Sequence, residues 1–493
     1  MTTTPAQPAV LLSALAAAVP GARMEGPDRP VRALRYDSRQ VGPGDLFFAW
    51  KGAASDGHRF IADACRQGAA GIVLEQPIER PETTAFIHVP DARRALARMA
   101  AAYQGEPGRR LALVGITGTN GKTTIAFAAK HLLGEPRQTG LVGTIRQEIG
   151  EAIEPAARTT PEGSDLQALL ARMRDAGCTA AVMEVSSHAL DQGRVEGLAF
   201  AAAVFTNLTP DHLDYHRTME AYFEAKALLF DGRAEVAVIN LDDPYGLLLL
   251  ARLHGTRQVI GTSAAGNPEA VLRAENVRTS ARGATFTLIY KDRHAAVEIP
   301  LLGHFNVANA LGAAGAALAL GRGFDEVAAR LATLPPVPGR LERFGGGDRP
   351  TVVVDYAHTE DAVRQALATL RALRPTRLAV VLGCGGDRDR TKRPGMAAAA
   401  LALADRVYFT SDNPRSETPE AIFADMRKGV PADAGALWIE NRREAIAKAI
   451  ADAAPGDIVC IAGKGHEATQ EIAGVFHPFS DREVVVHILQ ERA

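Results

Sequence analysis

Cysteine is scarce: the 493 residues hold four, and Cys65, Cys178, Cys384 and Cys460 stand far apart. No paired spacing marks a zinc site or a disulfide framework, so all four read as small core residues. Excess charge of either sign is missing too. A formal net charge of -2 leaves no broad basic face, which excludes a nucleic-acid partner. No run approaches the ~20 apolar residues of a membrane helix, so no membrane insertion is expected. The first basic residue, Arg23, comes too late to open a secretory signal. The expectation is a cytoplasmic protein, acting as a monomer, without repeats or low-complexity linkers.

What is present is an alternating chain too long for one core, and at roughly 150 residues per domain it divides into about three. Residues 1–105 read as a small α/β unit around "LRYDSRQVGPGDLFFAWKG" and "HRFIADACRQGAAGIVLE". Between residues 106 and 338, apolar runs such as "LALVGIT", "AAVMEV", "AAAVFTNL" and "EVAVIN" alternate with helical ones, as βαβ units on a mainly parallel sheet require. Lys291 and Asp292 split "ATFTLIYKDRHAAVEIP" into a hairpin. "LPPVPGR" breaks regular structure and suggests a hinge. Residues 339–493 supply a second parallel set, "TVVVDYA", "RLAVVLGC", "DRVYFTS" and "GDIVCIAG". The fold class is therefore α/β in three domains: a small N-terminal one, a central phosphate-loop domain and a C-terminal Rossmann-like domain.

"GITGTNGKTT", residues 115–124, runs from a strand through a glycine turn into a helix, the arrangement that cradles phosphate. The common pattern G-x-x-x-x-G-K-[ST] wants glycine at 116, where this chain has Ile116. Gly118, Thr119, Asn120, Gly121, Lys122, Thr123 and Thr124 still provide close backbone approach, a cation for β and γ phosphates and a hydroxyl for magnesium. Glu184 ends an apolar strand, where ligands sit in open α/β sheets, although alone it reads equally well as a solvated loop carboxylate. Asp211, His212, Asp214 and His216 follow another strand, as a ligand cluster or as a cap and turn. Lys226 falls on the inward stripe of an amphipathic helix with Phe223, Ala227 and Phe230, although lysines usually snorkel outward.

"TGTNGKTT", "EVSSHAL", "TNLTPDHLDYH" and the helical Lys226 together resemble the Mur ligases. "GHFNVANALGA", "PVPGRLE", "VDYAHTEDA", "GCGGDRDRTKRPGM", "SDNPRSE" and "AGKGHE" extend that resemblance, in order, over nearly the whole chain. It implies ATP-dependent addition of meso-2,6-diaminopimelate to the D-glutamate of UDP-N-acetylmuramoyl-L-alanyl-D-glutamate through an acyl phosphate. It also implies that residues 1–105 bind the UDP-sugar, 106–338 bind ATP and 339–493 bind the amino acid. Two rivals are an amide ligase of the same fold that uses L-lysine and a nucleotide-binding regulator.

By the resemblance, Lys122 faces the γ-phosphate and Thr123 holds magnesium, while Glu184, His212 and a carbamylated Lys226 hold a second magnesium. A carbamate is an anionic oxygen ligand, whereas an ammonium repels the metal; imidazole is the donor least suited to so hard an ion. Asn306 and Asn309 match positions near the adenine, and Arg340 and Asp355 match residues that reach the nucleotide. Ser38, Thr159, Thr160, Ser186, Gln192 and Arg194 match contacts to the UDP-sugar dipeptide, with uridine contacts near Ala53 and Ala54 differing from some relatives. Asp412, Asn413, Pro414 and Arg415, with Arg388, Gly463 and Glu467, match the amino-acid site. Arg415 would grip the distal carboxylate with two parallel bonds. Lysine would leave it buried and unpaired, at a cost of about 2–5 kcal/mol.

Overall fold

The computed structural model describes residues 10–52, 55–78 and 83–491; the expectation about Ala53 and Ala54 lies outside them. The chain forms two compact units. One comprises residues 1–115, 135–201 and 225–235, and the other residues 116–134, 202–224 and 236–493. Their boundary falls inside the strands Ala112–Thr117 and Phe200–Phe205.

The first unit opens with a five-stranded sheet in the order Arg23–Glu25, Ala85–His88, Gly71–Leu74, Leu46–Ala49, Leu34–Arg35. Its pairs are parallel except the first. "LFFA" and "GIVL" are buried at every position because both faces are covered, which is why they lack a polar alternation. Phe48 and Val73 face one core with helix Ala92–Tyr103, while Phe47 and Ile72 face another with helix Ile61–Arg66. The unit's second layer runs Ala152–Pro155, Arg146–Ile149, Thr139–Val142, Ala180–Glu184 and on to the strand Ala112–Thr117. The antiparallel hairpin Arg146–Pro155 is not apparent in the sequence reading; its turn carries Gly150 at φ 58°.

In the second unit, strands 202–205, 236–240, Gln258–Ser263, Leu272–Ser280, Gly283–Tyr290 and Arg293–Ile299 are consecutive neighbours. The expected hairpin is present, with Tyr290 opposite Arg293 and Lys291 at φ 56°. The C-terminal sheet has the order Glu342–Gly345, Thr351–Asp355, Ile458–Ala462, Leu378–Leu382, Arg406–Phe409, Leu437–Trp438. All its pairs are parallel except the first. Alternate residues serve its two cores: Val353, Val380 and Cys460 on one face, Val352, Val381 and Val459 on the other.

Helix Lys392–Leu403 contains "MAAAALAL", whose methyl side chains let it lie close to the sheet. "LPPVPG" carries no helix or strand, as its prolines dictate. Cys178, Cys384 and Cys460 are buried, whereas Cys65 is only half-buried at the edge of its cluster, and all four are free thiols. Helix Met219–Ala227 buries Phe223, Lys226 and Ala227 on its inward side as expected, with Tyr222 and Ala225 beside them, while Glu220, Ala221 and Glu224 are exposed. Among the described residues no helix is long and apolar enough to cross a membrane.

Candidate functional site

The glycine turn takes its shape from two positions that tolerate no side chain. Gly118 sits at φ 144°, and a Cβ there would meet Thr206 Oγ1 at 1.8 Å; Gly121 sits at φ 87°, with Asn309 Oδ1 2.3 Å from its would-be Cβ. Gly115 is instead part of the strand, which is how Ile116 is accommodated: the turn starts one residue pair later than the common pattern. Helix Lys122–Leu132 follows directly, so its unpaired N–H groups open onto the turn. Lys122 Nζ donates to the carbonyls of Gly118 and Thr119, each at 2.8 Å. Thr123 and Thr124 are buried beneath.

The turn is clamped by "TNLT", residues 206–209. Thr206 Oγ1 donates to Asn120 O at 2.6 Å, Asn120 N donates to Asn207 Oδ1 at 3.0 Å, and Thr119 N donates to Asn207 O at 2.9 Å. Thr206 and Asn207 were missed as positioning residues, although their motif was visible. Arg340 Nη2 donates to Thr123 Oγ1 at 3.2 Å and lies 4.4 Å over the Tyr356 ring. Asp355 is turned to its own backbone, accepting from Leu341 N at 2.7 Å and Ala357 N at 2.9 Å. Burial pushes its carboxyl up, against the pull of Arg340. Asn309 Nδ2 donates to Asn306 Oδ1 at 2.8 Å, so this pair supports the turn from beneath.

In the other unit, Glu184 is buried at the end of its strand. Its two oxygens accept from Thr144 N at 2.8 Å and Thr144 Oγ1 at 3.0 Å. Thr144 Oγ1 lies 3.0 Å from Thr159 Oγ1, and Thr160 Oγ1 donates to Glu184 O at 2.9 Å. Ser186 N donates to Thr160 Oγ1 at 3.1 Å, and Ser186 caps the next helix. Arg194 donates to Thr160 O at 2.8 Å and to Gln192 Oε1 at 2.7 Å. Thr159, Thr160, Ser186, Gln192 and Arg194 therefore gather around Glu184. Ser38 starts a short 3-10 turn capped by Asp37, away from that chain of hydrogen bonds.

The four residues expected at magnesium are divided between the units: Glu184 and Lys226 in one, Thr123 and His212 in the other. Among the described residues no three His, Cys, Asp or Glu side chains form a metal-holding group. The donor chemistry fits a modified lysine: on the buried Lys226 an ammonium would repel the metal, whereas a carbamate would supply the anionic oxygen that magnesium prefers. After Phe205, His212 precedes the short helix Leu213–His216; His212 and Asp214 are exposed while His216 is buried against Tyr222. His212 takes a left-handed backbone, φ 55°. Burial raises the Asp211 carboxyl, but His212, His358, Lys392 and Lys122 together hold it below its ordinary value.

The C-terminal residues converge. A Cβ on Gly463 would lie 2.5 Å from Asp412 Oδ2. Asn413 Nδ2 donates to Glu467 Oε2 at 2.8 Å. Lys464, missed in the sequence reading although it stands in "AGKGHE", is fully buried. Its Nζ donates to Asn413 Oδ1, Glu467 Oε2 and Thr469 O at 3.0, 2.8 and 2.7 Å. Arg442 and Asp481, also missed, form a fully buried bidentate pair at 2.8 and 2.7 Å, and Arg442 donates on to Ala462 O and Ser411 O. That pins the strand ends from which Asp412 and Gly463 project. Arg388 and Pro414 flank the group, with Pro414 O 1.8 Å from a would-be Cβ on Gly386.

Arg415 corrects a part of the sequence argument. Its Nε donates to Glu471 Oε2 at 3.2 Å and its Nη1 to Gly386 O at 2.6 Å. An acceptor without a second carboxylate would therefore leave Arg415 paired with Glu471, so an unpaired buried arginine is not the basis of discrimination.

Three domain signatures match the chain in order: "Mur ligase family, catalytic domain" over 30–104, "Mur ligase middle domain" over 116–317 and "Mur ligase, glutamate ligase domain" over 339–465. The chain is 46% identical over 477 residues to the UDP-N-acetylmuramoyl-L-alanyl-D-glutamate--2,6-diaminopimelate ligase of Geobacillus kaustophilus (strain HTA426), covering 95% of this chain and 96% of that one. It is also 46% identical over 481 residues to the enzyme of the same name from Streptomyces avermitilis, with 96% and 95% covered. A solved structure of a ligase of that name superposes with a TM-score of 0.68 at 37% identity, over 94% of this chain and 96% of that one. A MurF ligase from Thermotoga maritima in complex with ADP shares the fold, with a TM-score of 0.64 at 21% identity, over 94% and 99%. The three signatures, the near-full-length identity and the architecture agree: the chain belongs to the Mur ligase family.

Proposed function

We propose that the chain is an ATP-dependent ligase that joins meso-2,6-diaminopimelate to the D-glutamate of UDP-N-acetylmuramoyl-L-alanyl-D-glutamate, in cytoplasmic peptidoglycan precursor synthesis. The reading rests chiefly on the 46% identity, over nearly the full length, to ligases named for that reaction. The convergence of Asp412, Asn413, Arg415, Gly463 and Glu467 supports it. The working bounds are 1–105 for the UDP-sugar, 106–338 for ATP and 339–493 for the amino acid, with residues 334–340 as hinge.

The γ-carboxylate of the glutamate attacks the γ-phosphate of ATP, giving an acyl phosphate and ADP. The free amine of diaminopimelate then attacks the acyl carbon, and phosphate leaves as the amide forms. The protein's part is positioning and charge. Gly118 to Gly121 present backbone N–H groups to the phosphates, Lys122 supplies a cation, and Arg340 arrives beside Thr123. Thr123 would hold one magnesium and Glu184, His212 and carbamylated Lys226 a second, which would supply further positive charge at the phosphate oxygens. Thr159, Thr160, Ser186, Gln192 and Arg194, with Ser38, hold the dipeptide, and Asn306 and Asn309 back the nucleotide site. Exclusion of water on closure protects the acyl phosphate from hydrolysis.

Phosphate release from ATP is expected only when the UDP-sugar dipeptide and the amino acid are both present. Nucleotide binding without release under those conditions would overturn the ligase reading and favour a regulator.

A further inference from the structure

Arg415 and Glu471 belong to one mechanical unit. Arg415 has a left-handed backbone, φ 55°. Its N–H donates to Glu471 O at 3.0 Å, while Ala473 N donates to Arg415 O at 2.7 Å. The hairpin of strands Thr469–Ile472 and Val475–Pro478 therefore carries both the backbone clamp on Arg415 and the carboxylate beside its guanidinium. Glu471 N in turn donates to Asn413 Oδ1 at 3.0 Å, which fixes this strand to the amino-acid site.

The contact between the two charges is weak for its type. One oxygen meets Nε at 3.2 Å, whereas charge-assisted N–H···O bonds run to about 2.7–2.9 Å and arginine pairs best through two parallel bonds. Gly386 O takes one Nη1 hydrogen at 2.6 Å, so the guanidinium plane is fixed while a bidentate grip on a carboxylate goes unused. The side chains of Arg415 and Glu471 are 19% and 25% exposed, open enough for a ligand to reach.

Resting on the proposed function, we propose that Glu471 is a built-in competitor for Arg415. It holds the arginine's charge partly neutral and yields to the distal carboxylate of the acceptor amino acid, whose two-point contact is stronger. Glu471 thereby sets how tightly the acceptor binds. It is a positioning and tuning residue, with no part in the bonds made or broken.

The test compares the full-length chain with Glu471→Gln, which keeps shape and a hydrogen-bond acceptor but removes the charge. The KM for meso-diaminopimelate and its Kd by calorimetry without ATP are both expected to fall about 3- to 10-fold, with kcat within about 2-fold. In an Arg415→Ala background the same substitution is expected to change neither, because the competition is gone. Unchanged or raised values in Glu471→Gln, or an equal fall in both backgrounds, would overturn the proposal. If the wild type binds meso-diaminopimelate but never turns it over, the proposed function fails while the Kd ratio still decides the role of Glu471. If it neither binds nor turns over, both fall.

Discussion

Lys226→Ala is expected to lower phosphate release by at least about 10³-fold, equivalent to about 4 kcal/mol of transition-state stabilisation. The side chain is almost wholly removed from solvent, and alanine offers no oxygen in place of a carbamate. Carbamylation joins the lysine nitrogen to carbon dioxide with loss of a proton, so excess bicarbonate cannot restore a chain that lacks the amine. A short-chain carboxylic acid small enough for the vacated space is expected to restore part of the rate. Full activity in the alanine variant, with or without the acid, would contradict the carbamate assignment. A melting curve matching the wild type separates a lost ligand from a lost fold.

The second large effect is on stability. Asp481→Ala leaves Arg442 charged, fully buried and without its bidentate partner. Removing one member of a buried pair costs about 3–5 kcal/mol. Trp438 lies on the edge strand Leu437–Trp438 of the same sheet, and Trp50 is the only other tryptophan. In a Trp50→Phe background, fluorescence therefore reports this sheet, and its urea midpoint is expected to drop by about 1–2 M for a slope of about 2–3 kcal/mol/M. An unchanged midpoint would mean that water or rearrangement satisfies Arg442. Because Arg442 also holds Ser411 O and Ala462 O, the KM for the acceptor is expected to rise in the same variant.

These cases mark what a sequence reveals. Gly118, Gly121, Lys122 and Thr123 are legible because phosphate binding needs those residue types within a few positions on one turn. The parallel strands are legible because burial on both faces leaves uninterrupted apolar runs. Arg442 with Asp481, Lys464 with Asn413, and Thr206 and Asn207 with the turn are pairings across 39, 51 and 86–87 positions. Nothing local in the chain selects one arginine or lysine from 55 cationic residues as the buried one. The contact of Arg415 with Glu471 is hidden for the same reason, and it changes the physics: discrimination is a competition between carboxylates rather than the cost of an orphan cation. The hairpin Arg146–Pro155 escaped because its second strand, "AIEP", has only a half-buried glutamate and exposed neighbours, so it carries no apolar signature.

The most direct measurement is phosphate release from ATP and magnesium with UDP-N-acetylmuramoyl-L-alanyl-D-glutamate, comparing meso-diaminopimelate with L-lysine as acceptor. The account predicts turnover with diaminopimelate alone, since only it brings a second carboxylate to displace Glu471 from Arg415. Equal turnover with lysine would contradict the reading of Arg415, and no turnover with either would contradict the proposed reaction.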